Sequence, residues 1–165
     1  MDLDLTGRQR DDPTTEYARR LRPLTRWCAE MLGLPFLFGA LSWILVGEPG
    51  DAPMLPRAVR VSLAILAAIL ILLSSRFRST TLRRAFPRSA ELEASPDAVL
   101  AAYQRATKIS FLILALASLL GLVVALGAGL AVYGMVLCAA SAFAMLTRWP
   151  RAIEVDRLVR RRASP

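Results

Sequence analysis

Few side chains in this sequence could do chemistry, and their types narrow the kinds available. No histidine occurs in the 165 residues, which removes the side chain that titrates near neutrality and the commonest metal ligand. One carboxylate, Glu30, lies just inside an apolar stretch, with Arg26 one helical turn earlier at pairing distance. Two cysteines, Cys28 and Cys138, are too far apart along any spanning topology to meet, and a reducing compartment would keep them as thiols. The hydroxyls of Ser42, Ser62, Ser110, Ser118 and Ser141 fall within apolar segments, where serine bonds to backbone carbonyls or neighbouring helices. Arg60 and Lys108 stand at segment edges and can extend their charges outward. An ionisable group deep in a membrane would be a functional site by default, and none is deep. The expectation is therefore no catalytic residue, no metal and no cofactor, hence no enzyme. Proton- and ion-coupled carriers also lack their usual intramembrane carboxylate here.

The elements that carry these residues follow from charge spacing. From Ile109 to Thr147 there are 39 consecutive residues without Lys, Arg, Asp or Glu. As helix, at about 1.5 Å per residue, such a run is about twice the thickness of a bilayer's hydrocarbon core. Four charge-poor segments of spanning length emerge, at Trp27–Val46, Ala58–Ser75, Ile109–Leu126 and Leu130–Thr147. Lipid offers an open backbone no hydrogen-bond partner, so helix is the form such segments take. Gly127-Ala128-Gly129 predicts a tight turn between the last two, and Gly47 to Pro53 a longer connection between the first two. The fold class is an all-α membrane protein, four transmembrane helices in two hairpins with short cytoplasmic helical extensions. Its divisions are 1–26 (N-terminal segment), 27–75 (first hairpin), 76–95 (connection), 96–149 (second hairpin) and 150–165 (basic tail). The first segment exceeds the h-region of a signal peptide and follows a long charged leader, so it is read as a retained span.

Net charge of +8 and a sequence pI near 10.9 invite a nucleic-acid reading. Sorting the cations by segment gives another account. Six lie in the N-terminal stretch, seven in the middle connection and six in the tail, while Arg57 and Arg60 alone flank the first hairpin's loop. By the positive-inside rule both termini are cytoplasmic. The cations mark orientation and anionic headgroups, with no nucleic acid required. Twenty Arg against a single Lys is a bias associated with GC-rich bacterial genomes, which points to a bacterial inner membrane.

Helix starts are marked at Asp12-Pro13 and Ser95-Pro96-Asp97, each a cap followed by proline at the first helical position. The second places Val99, Leu100 and Tyr103 on a helical extension about three turns long, ahead of the third span. After Trp149-Pro150, the residues Ile153, Leu158 and Val159 opposite Arg157 and Arg160–Arg162 make a basic amphipathic segment, suited to anionic lipid or to solvent. Ala117, Gly121, Ala125 and Gly129 recur every four residues, a small-residue stripe against which a partner helix can approach closely. The partner is the first or fourth span, or a second copy. Pro35 is expected to kink the first span. Arg26, Gly39 and Gly47 match Lys108, Gly121 and Gly129 at an offset of 82, which a duplication or ordinary span-end composition would each produce.

The stretch from Ser95-Pro96-Asp97 through Tyr103-Gln104-Arg105-Ala106-Thr107-Lys108 into Leu119–Leu126, closed by Pro150, resembles an uncharacterised family of small bacterial four-span inner-membrane proteins. Resemblance covers roughly residues 95–150 and implies the four-span layout without an activity. The family's usual glutamate in the third span is missing. Gly121–Leu126 also looks like the carboxylate helix of ATP-synthase rotor-ring subunits, but the position of the essential acid there is Ala115 here, and a proton-carrying role loses its key residue. The resulting expectation is a non-enzymatic accessory or scaffold subunit acting through helix packing, alone as a homo-oligomer or in a larger membrane complex. The alternative is a small-molecule or lipid transporter with an inter-helix cavity around Pro35 and Gly121.

Overall fold

A computed structural model of the chain describes residues 13–46, 55–85 and 96–163. Among these the architecture is all-helical: α1 (Pro13–Leu45), α2 (Arg57–Ala85), α3 (Pro96–Ala128), α4 (Ala131–Thr147) and α5 (Ala152–Ala163). Three helices, α1 to α3, are long and apolar enough to cross a membrane, and α4 with α5, joined across a 52° bend, brings the number up to four. Pro13 and Pro96 open their helices where the cap signatures predict them, since a proline's missing N–H costs nothing in the first turn. The caps Asp12 and Ser95, and the connection from Gly47 to Pro53, lie outside the described residues.

The helices are longer than the apolar segments. α1 runs unbroken from Pro13 through Pro23 and Pro35 to Leu45, so the helical signal at Asp12-Pro13 and the first span belong to one element. α2 continues past Ser75 to Ala85. The expected turn at Gly127-Ala128-Gly129 is narrower than its three residues. α3 holds to Ala128, Gly129 takes φ 64°, and Leu130 N–H reaches the Ala125 carbonyl while Gly129 N–H reaches that of Leu126. This is a Schellman ending, whose left-handed residue glycine adopts without a Cβ penalty. Gly129 therefore belongs to the turn and not to the helix-face stripe in which its spacing had it.

The centre of the bundle is α3, which packs against α1, α2, α4 and α5, whereas the backbones of α1 and α2 do not pack against each other among the described residues. Only the second of the two expected hairpins is a packed pair. The reason lies at the start of α2. Leu55 N–H bonds to the Gly127 carbonyl at 3.1 Å, and the Leu55 side chain covers Gly127 so closely that a Cβ there would stand 2.3 Å from it. Farther along, Ser110 donates to the Ser74 carbonyl at 3.3 Å, and Ala67 and Ser74 form a narrow buried line on α2. Both ties hold α2 to α3; Ile71 and Leu82 pack on the core cluster, while other large apolar side chains of α2, among them Ile65, Leu72 and Phe77, face outward.

On the other side the small residues set the spacing. A Cβ on Gly121 would lie 2.9 Å from Leu137 Cβ and 3.4 Å from the Gly134 carbonyl. One on Gly134 would lie 2.7 Å from Ala125 Cβ and 2.5 Å from Ser42 Oγ. Ala117, Gly121 and Ala125 are buried along this contact, and Gly134 completes it from α4 at the point where α1 also arrives. The expected result of Gly134→Ala is a loss of about 1–3 kcal/mol through overpacking. Gly33→Ala, where nothing lies within 4 Å, stays within about 1 kcal/mol or gains stability. Thermal melts of both variants in mild detergent check the pair.

Candidate functional site

Polar chemistry gathers at the Arg-rich end of the bundle, beyond the apolar runs. There α1 and α3 extend side by side, Arg20 pairing with Glu16 at 2.6 Å and reaching Asp97 across to α3. Pro150 cannot continue α4, so the chain turns and α5 lies back over α1 and α3. Val155 is fully buried there with Leu21, Leu24, Leu100 and Tyr103, and Leu158 and Val159 pack on the same cluster. The apolar face of the basic segment is thus covered by protein, leaving Ile153, Arg157 and Arg160 exposed. Arg160 pairs with Asp156 one turn back at 2.8 Å.

Under α5 three elements meet in one polar knot. Arg78 Nη2 of α2 donates to Glu154 Oε2 of α5 at 2.6 Å and to the Tyr103 hydroxyl of α3 at 2.9 Å. Tyr103 in turn donates to Glu154 Oε2 at 2.7 Å and accepts from Arg151 N–H at 3.2 Å. The hydroxyl is thereby saturated, one donation and two acceptances. Arg78 also stacks over the Tyr103 ring, 5.2 Å from its centroid. Beside this knot Arg148 donates to Ser74 Oγ and, at 3.5 Å, to the Ile71 carbonyl, which ties the end of α4 to α2. A cavity of about 370 Å³ opens over these groups, with Arg157 and Leu158 of α5 completing its lining.

Burial sets the electrostatics. Tyr103 sits two turns before the apolar run begins at Ile109, yet burial pushes its hydroxyl up from 10.0 to about 12, with the bond to Glu154 adding to the rise against the opposing pull of Arg78. Arg148 is held below its ordinary value, by burial first and by the neighbouring Arg78 second. The knot has no nucleophile set against a base. Ser75 and Ser79 turn their hydroxyls to the Leu72 and Arg76 carbonyls, and Glu154 is engaged by Arg78 and Tyr103. Among the described residues no three His, Cys, Asp or Glu gather as metal ligands. What the arrangement can do is hold α5 in place and present guanidinium groups to the cavity.

The residues singled out in the sequence lie elsewhere. Arg26 Nε and Glu30 Oε1 stand 3.6 Å apart on the outer face of α1, with Glu30 63% exposed. Cys28 and Cys138 are buried free thiols, Cys138 against Gly39 and Gly121. Ser42 and Ser118 bond to carbonyls four residues back in their own helices. Pro35 is buried in a groove of about 250 Å³ between α1 and α4, shared with Gly39, Met135 and Cys138. Sequence reasoning missed Arg78, Tyr103, Arg148 and Glu154 as a group. Two signals were present: a tyrosine on an otherwise apolar face, and an acid inside a basic tail just after a helix-breaking proline.

Three or four apolar helices of spanning length place the chain among multi-pass membrane proteins as a class. Comparison with protein-family models, curated proteins and solved structures finds no match to the chain.

The raised Tyr103 pKa makes a pH prediction. An unfolded chain gives up this proton near pH 10 and the folded chain only near pH 12. The stability held by neutral Tyr103 is complete below pH 10 and drains away as pH rises toward about 12. Melting temperature measured from pH 9 upward should fall more steeply for the native chain than for Tyr103→Phe. At neutral pH the same variant should cost about 1 kcal/mol and loosen α5, seen as faster amide exchange there.

Proposed function

We propose that the chain is a four-span protein of the bacterial inner membrane, of the small four-span kind its second hairpin resembles, with both termini in the cytoplasm. It acts without chemistry of its own, as an accessory or scaffold subunit working through helix packing. The observation that carries this reading is the cap at the Arg-rich end. The N-terminal parts of α1 and α3 and the inner side of α5, through Ala152, Val155, Leu158 and Val159, share one packed apolar cluster, cross-tied by Arg20–Asp97 and Arg78–Glu154. Such a cap projects from the apolar helices as a fixed, charged platform, which suits contact with another chain. Cations on this end and few at the other support a cytoplasmic placement.

A second reading, transport of a small molecule or lipid, is favoured by the apolar groove around Pro35, whose rim residues Phe36 and Met135 are exposed. Against it, the space between α1, α3 and α4 is filled by Phe111, Leu114, Ala117 and Met145, each fully buried.

The scaffold reading is tested on the full chain extracted from its own membranes in mild detergent. Light scattering should give a particle whose protein mass exceeds the 18.1 kDa of one chain, and Glu154→Ala, which frees α5, should shift it toward the monomer while the chain stays membrane-inserted. Isolated native monomers would sink the idea. Reporter domains fused to either end should both report the cytoplasm.

A further inference from the structure

The cavity at the Arg-rich end carries more positive charge than its one carboxylate neutralises. Arg78, Arg148 and Arg157 line the cavity of about 370 Å³ with a single acid, Glu154. Arg78 is committed to that acid, its side chain only 14% exposed. Arg148 is half-buried and donates to neutral oxygens alone, those of Ser74 and Ile71. Among the described residues neither Arg148 nor Arg157 has a carboxylate partner. For the half-buried Arg148 a guanidinium without a counter-charge is costly, and an anion beside it relieves that cost through charge-assisted hydrogen bonds, to which the exposed Arg157 on the cavity lining adds its own.

Donor chemistry narrows the anion. The hydroxyl hydrogens of Ser75 and Ser79 point to backbone carbonyls, so the free donors are guanidinium N–H groups, whose fork matches phosphate oxygens. Place narrows it further. Ser75 closes the apolar run of α2 and Arg148 follows that of α4, so the cavity lies where both helices leave their apolar parts. Close to that level in the chain, Leu72 on α2 and Phe143 and Leu146 on α4 are exposed, so apolar side chains are open to acyl chains on the helices that carry the cationic groups.

We propose that this cavity binds the phosphate headgroup of an anionic phospholipid. Arg148 and Arg157 donate to it, and Arg78, positioned by Glu154 and Tyr103, adds the third positive charge. Basic pockets between spans at the cytoplasmic level take such headgroups. Two uncompensated charges fit a headgroup with two, so cardiolipin is the probe. The inference rests on the membrane-spanning reading above.

The test uses the full chain, delipidated in mild detergent and titrated with cardiolipin, phosphatidylcholine or inorganic phosphate, with bound ligand read by native mass spectrometry. Cardiolipin should bind at least about tenfold more tightly than phosphatidylcholine. Arg148→Gln and Arg157→Gln should each weaken it by about tenfold. Arg76→Gln, an exposed cation on α2 outside the cavity, should change it by less than about twofold. Among the described residues Arg157 holds none of the hydrogen bonds that fix α5, so its variant decides the matter even where Arg148→Gln fails to fold. Equal binding of phosphatidylcholine, or an equal loss with Arg76→Gln, overturns the headgroup site. Inorganic phosphate binding as tightly as cardiolipin overturns the lipid as its source. Alkaline carbonate extraction separates the two readings: a chain that stays in membranes but binds no cardiolipin refutes the site alone, and a chain that is released refutes the spanning.

Discussion

Apolar helices surrounded by lipid gain nothing by hiding apolar surface from one another, so close backbone approach must hold them together. In this chain the approach is concentrated where α1, α3 and α4 meet. Gly121 and Ala125 face Gly134, and the Ser42 hydroxyl lies against the same glycine. None of the contacts there leaves room for an added methyl group. Ser42 spends its own hydroxyl on the Phe38 carbonyl, so a polar atom enters this tight space without being left unpaired. Once three helices close at that point, their ends are aligned, and α2 is left to pack on the free flank of α3.

From that alignment the Arg-rich end follows. Among the described residues α3 alone is in contact with every other helix, and it carries Tyr103 to the place where α2 brings Arg78 and α5 brings Glu154. A buried phenol must bond its hydroxyl, and a nearly buried guanidinium needs an acid. Each of the three satisfies the other two, and the Arg151 backbone supplies the last donor. Pro150 makes this possible, because a helix continuing straight from α4 would carry Glu154 away from the bundle.

Much of this fold is legible in the residues, for reasons that stop at identifiable points. Charge-free runs reveal apolar helices because lipid tolerates nothing else, and proline after a capping residue marks where α1 and α3 begin. The small residues of α3 identify a packing face, but spacing alone put Gly129 on it, and only backbone geometry separates a stripe residue from a left-handed turn residue. That α1 and α2 would sit apart was not legible, since it depends on Leu55 meeting Gly127 across a distance of 72 positions. The polar knot escaped for the same reason. Arg78, Tyr103 and Glu154 belong to three elements with no local spacing among them, and a count of cations by segment treats Arg78 as one more marker of orientation.

The proposed orientation would account for most of the positive charge, but not for how the charge is held. A residue needed only to keep one end of a helix in the cytoplasm works as well on the exposed surface, where Arg26 and Arg76 stand. Arg78 and Arg148 are instead drawn into the protein, where a guanidinium loses water and must be repaid in hydrogen bonds. Arg78 is repaid by an acid and a phenol, which gives α5 its seat. Among the described residues Arg148 has only neutral oxygens and another arginine nearby, an arrangement that the proposed anion would complete. The proposed orientation and the proposed headgroup site are thus two uses of one charge excess: cations dispersed over the exposed surface would set direction, and the half-buried Arg148, with Arg157 beside it on the cavity lining, calls for a partner.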